Sequence, residues 1–438
     1  MKTVFQIFCL ILFLLGSEVR AQEGKTWTLE ECINYALDQN IQVRKSDLSN
    51  QSYQYYAEQA RAQRFPSVSA GINQSFNWRK ETTESAGFTG NNGTSYSVNS
   101  GVTVFNGLKI SNQIKQAELD IQGGKYSLET TKESISLSIL EAFLQVIYAE
   151  EQVKNSEKQM ESTTQQLNLA KERLALQVIS QADYAQVKSQ LASEKLTLAN
   201  AQSQLAIAKV SLMQLMELPV TADFNISQPD KSTMLNQNRM PAVASVYDTA
   251  VAIKPQIKFA EINKKIAALD EKIARAGYLP SLLASAGIST SYSNQSNSQY
   301  FDQMDNSIYP TIGFSLAIPI YQKKQVKTSV AVAKIGYQNA ELNEIDTKNQ
   351  LRKNIEQACQ DVTSAQIEYE ASVESYNATK ESAALSDEKF TQGIINSVDY
   401  LVSKTNLIVA ESQLLQSKFN LIFSYKLLDF YLGIPLSL

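Results

Sequence analysis

Two eleven-residue stretches, Arg173 to Asp183 and Lys389 to Asp399, constrain this chain more than any other feature. Each interrupts a long helical pattern with a stop signal followed by a start signal. In the second stretch Gly393 can take the left-handed conformation that ends a helix. Asn396 can then N-cap the next helix, with Asp399 three residues on as the acidic partner of a capping box. In the first stretch Ser180 and Asp183 hold the positions of Asn396 and Asp399, and Gln177 holds that of Gly393. The pattern predicts a helical hairpin present twice.

Other landmarks repeat in register. Pro66 to Pro280 is 214 residues, Asp183 to Asp399 is 216, and Pro219 to Pro435 is 216; Ala60-Arg61-Ala62 before Pro66 recurs as Ala274-Arg275-Ala276 before Pro280. The 438 residues therefore read as one architecture built twice, with a first structural repeat over 22–230 and a second over 231–438.

Residues 1–21 read as a signal peptide, with Lys2, an apolar run from Val4 to Leu15, and Val19-Arg20-Ala21 before the expected cleavage point. That run is too short to span a bilayer, and no other stretch approaches the roughly 20 apolar residues of a transmembrane helix. Cys9 lies inside the leader, so no lipid anchor is expected. Cys32 and Cys359 fall in helical pattern and are expected as small buried residues instead of a disulfide.

The formal charge of −4, or −5 once Lys2, Glu18 and Arg20 leave with the leader, comes without basic runs and gives no electrostatic case for nucleic acid. Histidine is absent, which removes imidazole acid–base chemistry, Ser-His and Cys-His nucleophiles and nearly all zinc sites. Glu30-Glu31 and Glu150-Glu151 are adjacent on helices and point in different directions, so they make poor two-acid sites. No enzyme, cofactor or metal is expected.

Helical pattern opens at Trp27-Thr28-Leu29-Glu30-Glu31, with Thr28 and Glu31 as a capping box, and runs to Arg64 with a break near Asn40. After Pro66 the period changes to 2. Val68, Ala70, Ile72, Phe76 and Trp78 alternate with small polar residues. An exposed loop is expected over 79–95, then a second strand over about 96–105 with Val98, Val102 and Val104 on one face. A helix of about 70 residues, roughly 105 Å of rod, leads to the first turn, and a second helix runs over 181–217. Residues 220–241 read as a polar connector.

The second copy follows the same order. Helix is expected over 245–277, a strand over about 281–293, a polar loop over 294–308, and a strand over about 309–321. In this last strand Ile312, Phe314, Leu316, Ile318 and Ile320 form a candidate lipid-facing set. A long helix from Gln322 carries Leu351, Ile355, Ala358, Val362, Ala365, Tyr369, Ser372, Tyr376, Thr379 and Ala383 at the 4-3 spacing of a coiled-coil seam. A last helix is expected over 397–432.

Four strands, each apolar on one face and small-polar on the other, match the alternation of an outer-membrane β-barrel. Four strands cannot close a barrel, and a sheet in lipid leaves no open edge, so the barrel must be shared between protomers. The expected fold class is mainly α with a membrane β-barrel: a long antiparallel coiled-coil α-barrel plus four strands per protomer. The competing reading is a periplasmic coiled-coil scaffold or adaptor whose strands form a soluble domain.

The chain resembles the TolC-like outer-membrane efflux family (OEP family) over essentially all of its mature length. The residues that carry the resemblance are Trp27-Thr28-Leu29-Glu30-Glu31 with Ala36-Leu37 and Asn40, Phe65-Pro66, Leu279-Pro280, Val104-Phe105-Asn106-Gly107, Ile318-Pro319-Ile320-Tyr321 and the two turns. The resemblance implies a homotrimer with a twelve-stranded barrel in outer-membrane lipid and a helical tunnel in the periplasm. It also implies a passive conduit for efflux or type I secretion, served by a periplasmic adaptor (membrane fusion) protein and an inner-membrane transporter of the RND or ABC type. Carried over by position, the adaptor-docking tips are Arg173, Gln177, Ser180 and Asp183 in the first hairpin and Lys389, Gly393, Asn396 and Asp399 in the second. Gln177 departs from the family's tip glycine, Lys389 from its arginine and Asn396 from its serine. Asp387 and Glu388, the acids nearest before the second tip, are the candidates for the constriction.

Overall fold

The computed structural model describes residues 26–80, 88–220, 224–228 and 241–438. The expected leader, the centre of the 79–95 loop and most of the 220–241 connector lie outside the described residues. The chain packs as two units, one made of residues 1–41, 133–246 and 355–438, the other of 42–132 and 247–354.

In chain order the elements are β1 (Thr26–Trp27), α1 (Leu29–Gln39), α2 (Ile41–Ala62), β2 (Ser67–Lys80), β3 (Phe88–Asn106), α3 (Lys109–Ala175), α4 (Gln181–Leu215) and β4 (Asn225–Ile226). The second half gives α5 (Val243–Ile253), α6 (Pro255–Arg275), a 3₁₀ turn at Ala276–Tyr278, β5 (Ser281–Ser293), α7 (Tyr300–Asn306), β6 (Tyr309–Ala317), α8 (Gln325–Thr391) and α9 (Ser397–Leu432).

Both repeats break their first helix at the same place. Asn40 takes an extended conformation, and its side chain donates to Leu215 O at 2.9 Å, covering an orphan carbonyl at the end of α4. Lys254, 214 residues later, takes the same conformation before Pro255. Proline excludes α geometry from the residue before it and suits the first helical position itself. The helix expected as continuous over 245–277 is therefore two helices.

The unit containing the tips is built on a helical core. Ile139, Leu140, Phe143 and Val146 of α3 pack with Leu212 and Met216 near the end of α4, Cys32 and Ala36 of α1, and Ile422 of α9. Cys32 and Cys359 are buried thiols with no disulfide between them. The 4-3 seam of α8 is fully buried from Leu351 to Ala365 and only half-buried from Tyr369 to Ala383, where Ser372 and Thr379 dilute its apolar character. The short parallel pair β1–β4 is extended by Ser227 N donating to Trp27 O at 2.8 Å.

The other unit holds the antiparallel sheet, in the order β2-β3-β5-β6. Its helices follow the same order. Ala57 and Ala60 of α2 pack on Ile114 and Ala117 of α3, and Arg61 pairs with Glu118 at 2.9 Å. Gln116 of α3 donates to Asp270 of α6 at 2.9 Å, and Lys264 of α6 pairs with Glu344 of α8 at 2.5 Å. The α2–α3 approach depends on Gly124, where a Cβ would lie 2.6 Å from Asn50 Oδ1 and 2.8 Å from Tyr53 Cδ2.

Three sheet expectations are corrected. β3 begins at Phe88, inside the stretch read as loop: Phe88 to Ser95 pair with Lys80 to Asn73, so the β2 ladder orders a Gly- and Asn-rich segment with no alternation of its own. β6 ends at Ala317, because Pro319 has no N–H to donate, so Ile318 and Ile320 lie beyond the strand. The 294–308 loop contains α7.

Candidate functional site

The sheet register sorts the side chains into two chemically distinct faces. One row across all four strands is Ala70, Val98, Ile288 and Pro310; the rows beside it bring in Ile72, Ala286, Ile312, Ala284 and Phe314. A bulge at Val104 shifts the register so that Phe105 opposes Leu282, which in turn opposes Leu316. The opposite face carries Ser67-Gly101-Ser285-Gly313 and Ser69-Asn99-Gly287-Thr311 as straight rows across the sheet. Ile312, Phe314 and Leu316 are all exposed within one chain, as are Ile318 and Ile320 past the strand end. A sheet with an exposed apolar face and a polar face is arranged to divide lipid from water.

The two tip turns share one backbone design. Gly393 has φ +75° and Gln177 φ +58°. Ile394 N donates to Lys389 O at 2.8 Å and Gly393 N to Phe390 O at 3.1 Å; Val178 N and Gln177 N make the equivalent bonds to Arg173 O and Leu174 O, both at 2.9 Å. Both are Schellman closures. Gln177 therefore fills a left-handed position without being glycine. In the first tip the capping box is complete, with Ser180 Oγ accepting from Asp183 N at 3.1 Å and Ser180 N donating to Asp183 Oδ2 at 3.2 Å. In the second only the forward half forms, Asn396 Oδ1 accepting from Asp399 N at 2.8 Å.

The hairpins are tied to each other by bonds that sequence reasoning did not foresee. Arg173 donates to Thr391 O at 2.9 Å, and Ser397 Oγ donates to Asp183 Oδ1 at 2.6 Å. Hydrogen bonds from Ser180 and then Ser397 hold the Asp183 carboxyl below the ordinary carboxylate range. Further along the hairpins, Lys404 of α9 donates to Thr163 Oγ1 at 2.5 Å and Gln166 Oε1 at 3.3 Å, and lies 4.0 Å from Glu194 of α4. Lys404 is 7% exposed and Glu194 5%. Burial pushes the Lys404 ammonium down, against the opposing pull of Glu194 and Asp387.

Asp387 also faces Tyr400, whose phenol is pushed well up, first by burial and then by that carboxylate. Tyr400 stacks on Phe390 at 4.6 Å and hydrogen-bonds Gln166. Asp387 is thus drawn into the intrachain network, while Glu388 is exposed. The signal for the buried cluster was present in the spacing: Ser397, Leu401 and Lys404 follow the 4-3 rule, which places a lysine on a seam.

The family model described as Outer membrane efflux protein matches residues 32–217 and 246–433. The chain belongs to the outer membrane efflux protein family. A search of the curated proteins found no match. Among solved structures, this outer membrane efflux protein is similar to the CmeC outer membrane channel of Campylobacter jejuni, with TM-score 0.75 and 15% identity over 95% of this chain and 90% of that one. It is similar to the open state of the Neisseria gonorrhoeae MtrE outer membrane channel, with TM-score 0.75 and 18% identity over 93% and 89%. The Vibrio cholerae outer membrane protein VceC gives TM-score 0.71 and 17% identity over 92% and 94%. These likenesses show the fold, and the family match, in two stretches, fits the internal duplication. The efflux protein is accordingly an outer-membrane channel with its helical tunnel in the periplasm, and not a scaffold lacking a membrane barrel.

Proposed function

We propose that three copies of the chain close a twelve-stranded barrel through which substrates leave passively, with an adaptor docked at the tip turns and an inner-membrane transporter supplying the energy. The observation that carries this is a matched pair of open ends in one unit. β2 and β6 have no strand partner on their outer edges among the described residues. The helices at the same two ends, α2 and α8, expose apolar stripes: Leu48 and Tyr55, seven apart, on α2, and Val332, Ile335, Leu342 and Ile345 on α8. Such spacing marks a helix seam. A heterologous contact, β2 and α2 of one copy against β6 and α8 of the next, closes a ring.

Arg173, Gln177, Ser180, Asp183, Lys389, Gly393, Asn396 and Asp399 form the docking rim, and Glu388, more exposed to the channel than Asp387, narrows the mouth. Light scattering in detergent tests the ring: three copies are expected, and Leu342→Asp is expected to release monomers. A wild-type monomer, or a trimer indifferent to Leu342→Asp and Leu48→Asp alike, would sink the proposal.

A further inference from the structure

α7 is a seven-residue helix in a segment whose sequence is only polar loop, and it is clamped to the sheet by more bonds than a surface loop needs. β5 runs past the start of β6: pairing stops at Ser289 with Tyr309, leaving Thr290 to Ser293 without a strand on that edge. The side chains of α7 and its C-terminal neighbour take the place of the missing strand. Ser307 Oγ accepts from Ser291 N at 3.0 Å and donates to Ser291 O at 2.8 Å, and Gln303 Oε1 accepts from Ser293 N at 2.9 Å. Gln303 itself is buried, and its Nε2 donates to Ser298 O at 2.7 Å. Sealing a strand edge with protein groups is required where water is scarce and is superfluous in bulk solvent.

The side of the sheet on which α7 lies is fixed by register. Its partners are Tyr96, whose hydroxyl is 2.6 Å from that of Tyr300; Thr290, which donates to Met304 O at 2.5 Å; and Tyr292, whose ring is 4.8 Å from that of Tyr300. All three are even-numbered members of the face that carries Val98, Ile288 and Ile312. α7 therefore covers the loop end of the apolar band, at the level where Trp78 also stands on that face. Its outermost side chain is Phe301, 82% exposed, while Asp302 and Asp305 keep one flank of the helix charged.

We propose that α7 is an interfacial anchor that seats the barrel in the headgroup region of the outer leaflet. Phe301 enters the boundary between headgroups and acyl chains, and Asp302 and Asp305 stay in water. An amphipathic segment continuous with an apolar band, edge-sealed and tipped by an exposed aromatic, fits a lipid interface. This rests on the apolar sheet face being lipid-facing, and the test separates the two.

Phe301→Cys and Leu316→Cys, each labelled with bimane, are reconstituted in phosphatidylcholine vesicles carrying a nitroxide either at the headgroup or near the chain end. The native thiols Cys32 and Cys359 are buried and stay unlabelled. The label at 316 is expected to lose more emission to the chain-end nitroxide, and the label at 301 more to the headgroup nitroxide. Quenching at 316 with none at 301 overturns the anchor and leaves the barrel intact. Greater chain-end quenching at 301 also overturns the headgroup placement. No quenching at 316 overturns the lipid-facing sheet, and the anchor with it.

Discussion

Replacing Lys404 by Met should be the most damaging single change near the hairpin tips, and the structure supplies the reason. The ammonium and the Glu194 carboxylate are both more than nine-tenths buried and 4.0 Å apart. At an effective dielectric of about 20 that separation corresponds to ~4 kcal/mol of attraction, set against a desolvation cost of several kcal/mol for each ion. The intact pair therefore contributes little net stability, but either half alone is an uncompensated buried charge. Lys404→Met leaves Glu194 with only the Gln159 and Gln190 amides, at 3.4 and 3.1 Å. The expected loss is about 3–5 kcal/mol, whereas Lys404→Met with Glu194→Met should return to within about 1 kcal/mol of the parent or exceed it. Urea unfolding in detergent, followed by far-UV circular dichroism, reads both numbers. If Lys404→Met costs less than about 1 kcal/mol, or the double variant shows the sum of the two single losses, the pair is not coupled as argued.

The remaining expectations concern the tips and the sheet. Gly393 has nothing within 4 Å of where a Cβ would stand, so Gly393→Ala isolates the backbone cost of φ +75°, about 1 kcal/mol, while Gln177→Gly should relieve a similar strain; melting temperatures moving in the same direction would contradict this. The Asp183 carboxyl is held low by Ser180 and Ser397, so its contribution is complete above the unfolded value of about 4 and is lost as pH falls through the lower folded value. Hydrogen exchange at the tips should therefore rise on acidification in the parent and respond less in Asp183→Asn; an equal response in both would refute the link. Leu316→Lys should cost about 2–4 kcal/mol of membrane folding and Ser315→Lys far less; equal losses in a vesicle-folding assay would mean the faces are misassigned.

What the sequence could reveal depended on whether a segment's structure is dictated locally. The tip turns were legible to the residue because Gly393, Ser180 and Asn396 are chemical signals that act within one turn of helix. The strands with strict alternation, such as Ile312-Gly313-Phe314-Ser315-Leu316, were legible for the same reason. Phe88 to Ser95 was not, since its strand character is supplied by the ladder to β2, and α7 was not, since a seven-residue helix is held by β5 and not by its own propensity. The break at Lys254 was readable in principle: Pro255 announces it, and the offset of 214 from Asn40 repeats that from Pro66 to Pro280.

The site divides along the same line. The tip residues follow from capping rules, but the bonds between hairpins, Arg173 to Thr391 and Ser397 to Asp183, join residues more than 200 apart in sequence. No local rule announces such a bond. A lysine at a seam position is the exception, because a charge at 4-3 spacing must find a partner across the helix interface. The spacing of Lys404 by itself demands a buried acid opposite, and only the identity of that acid, Glu194, depends on the fold. The duplicated turns give the two hairpins one backbone, and the unduplicated residues on them, Arg173, Ser397 and Lys404, hold one hairpin to the other.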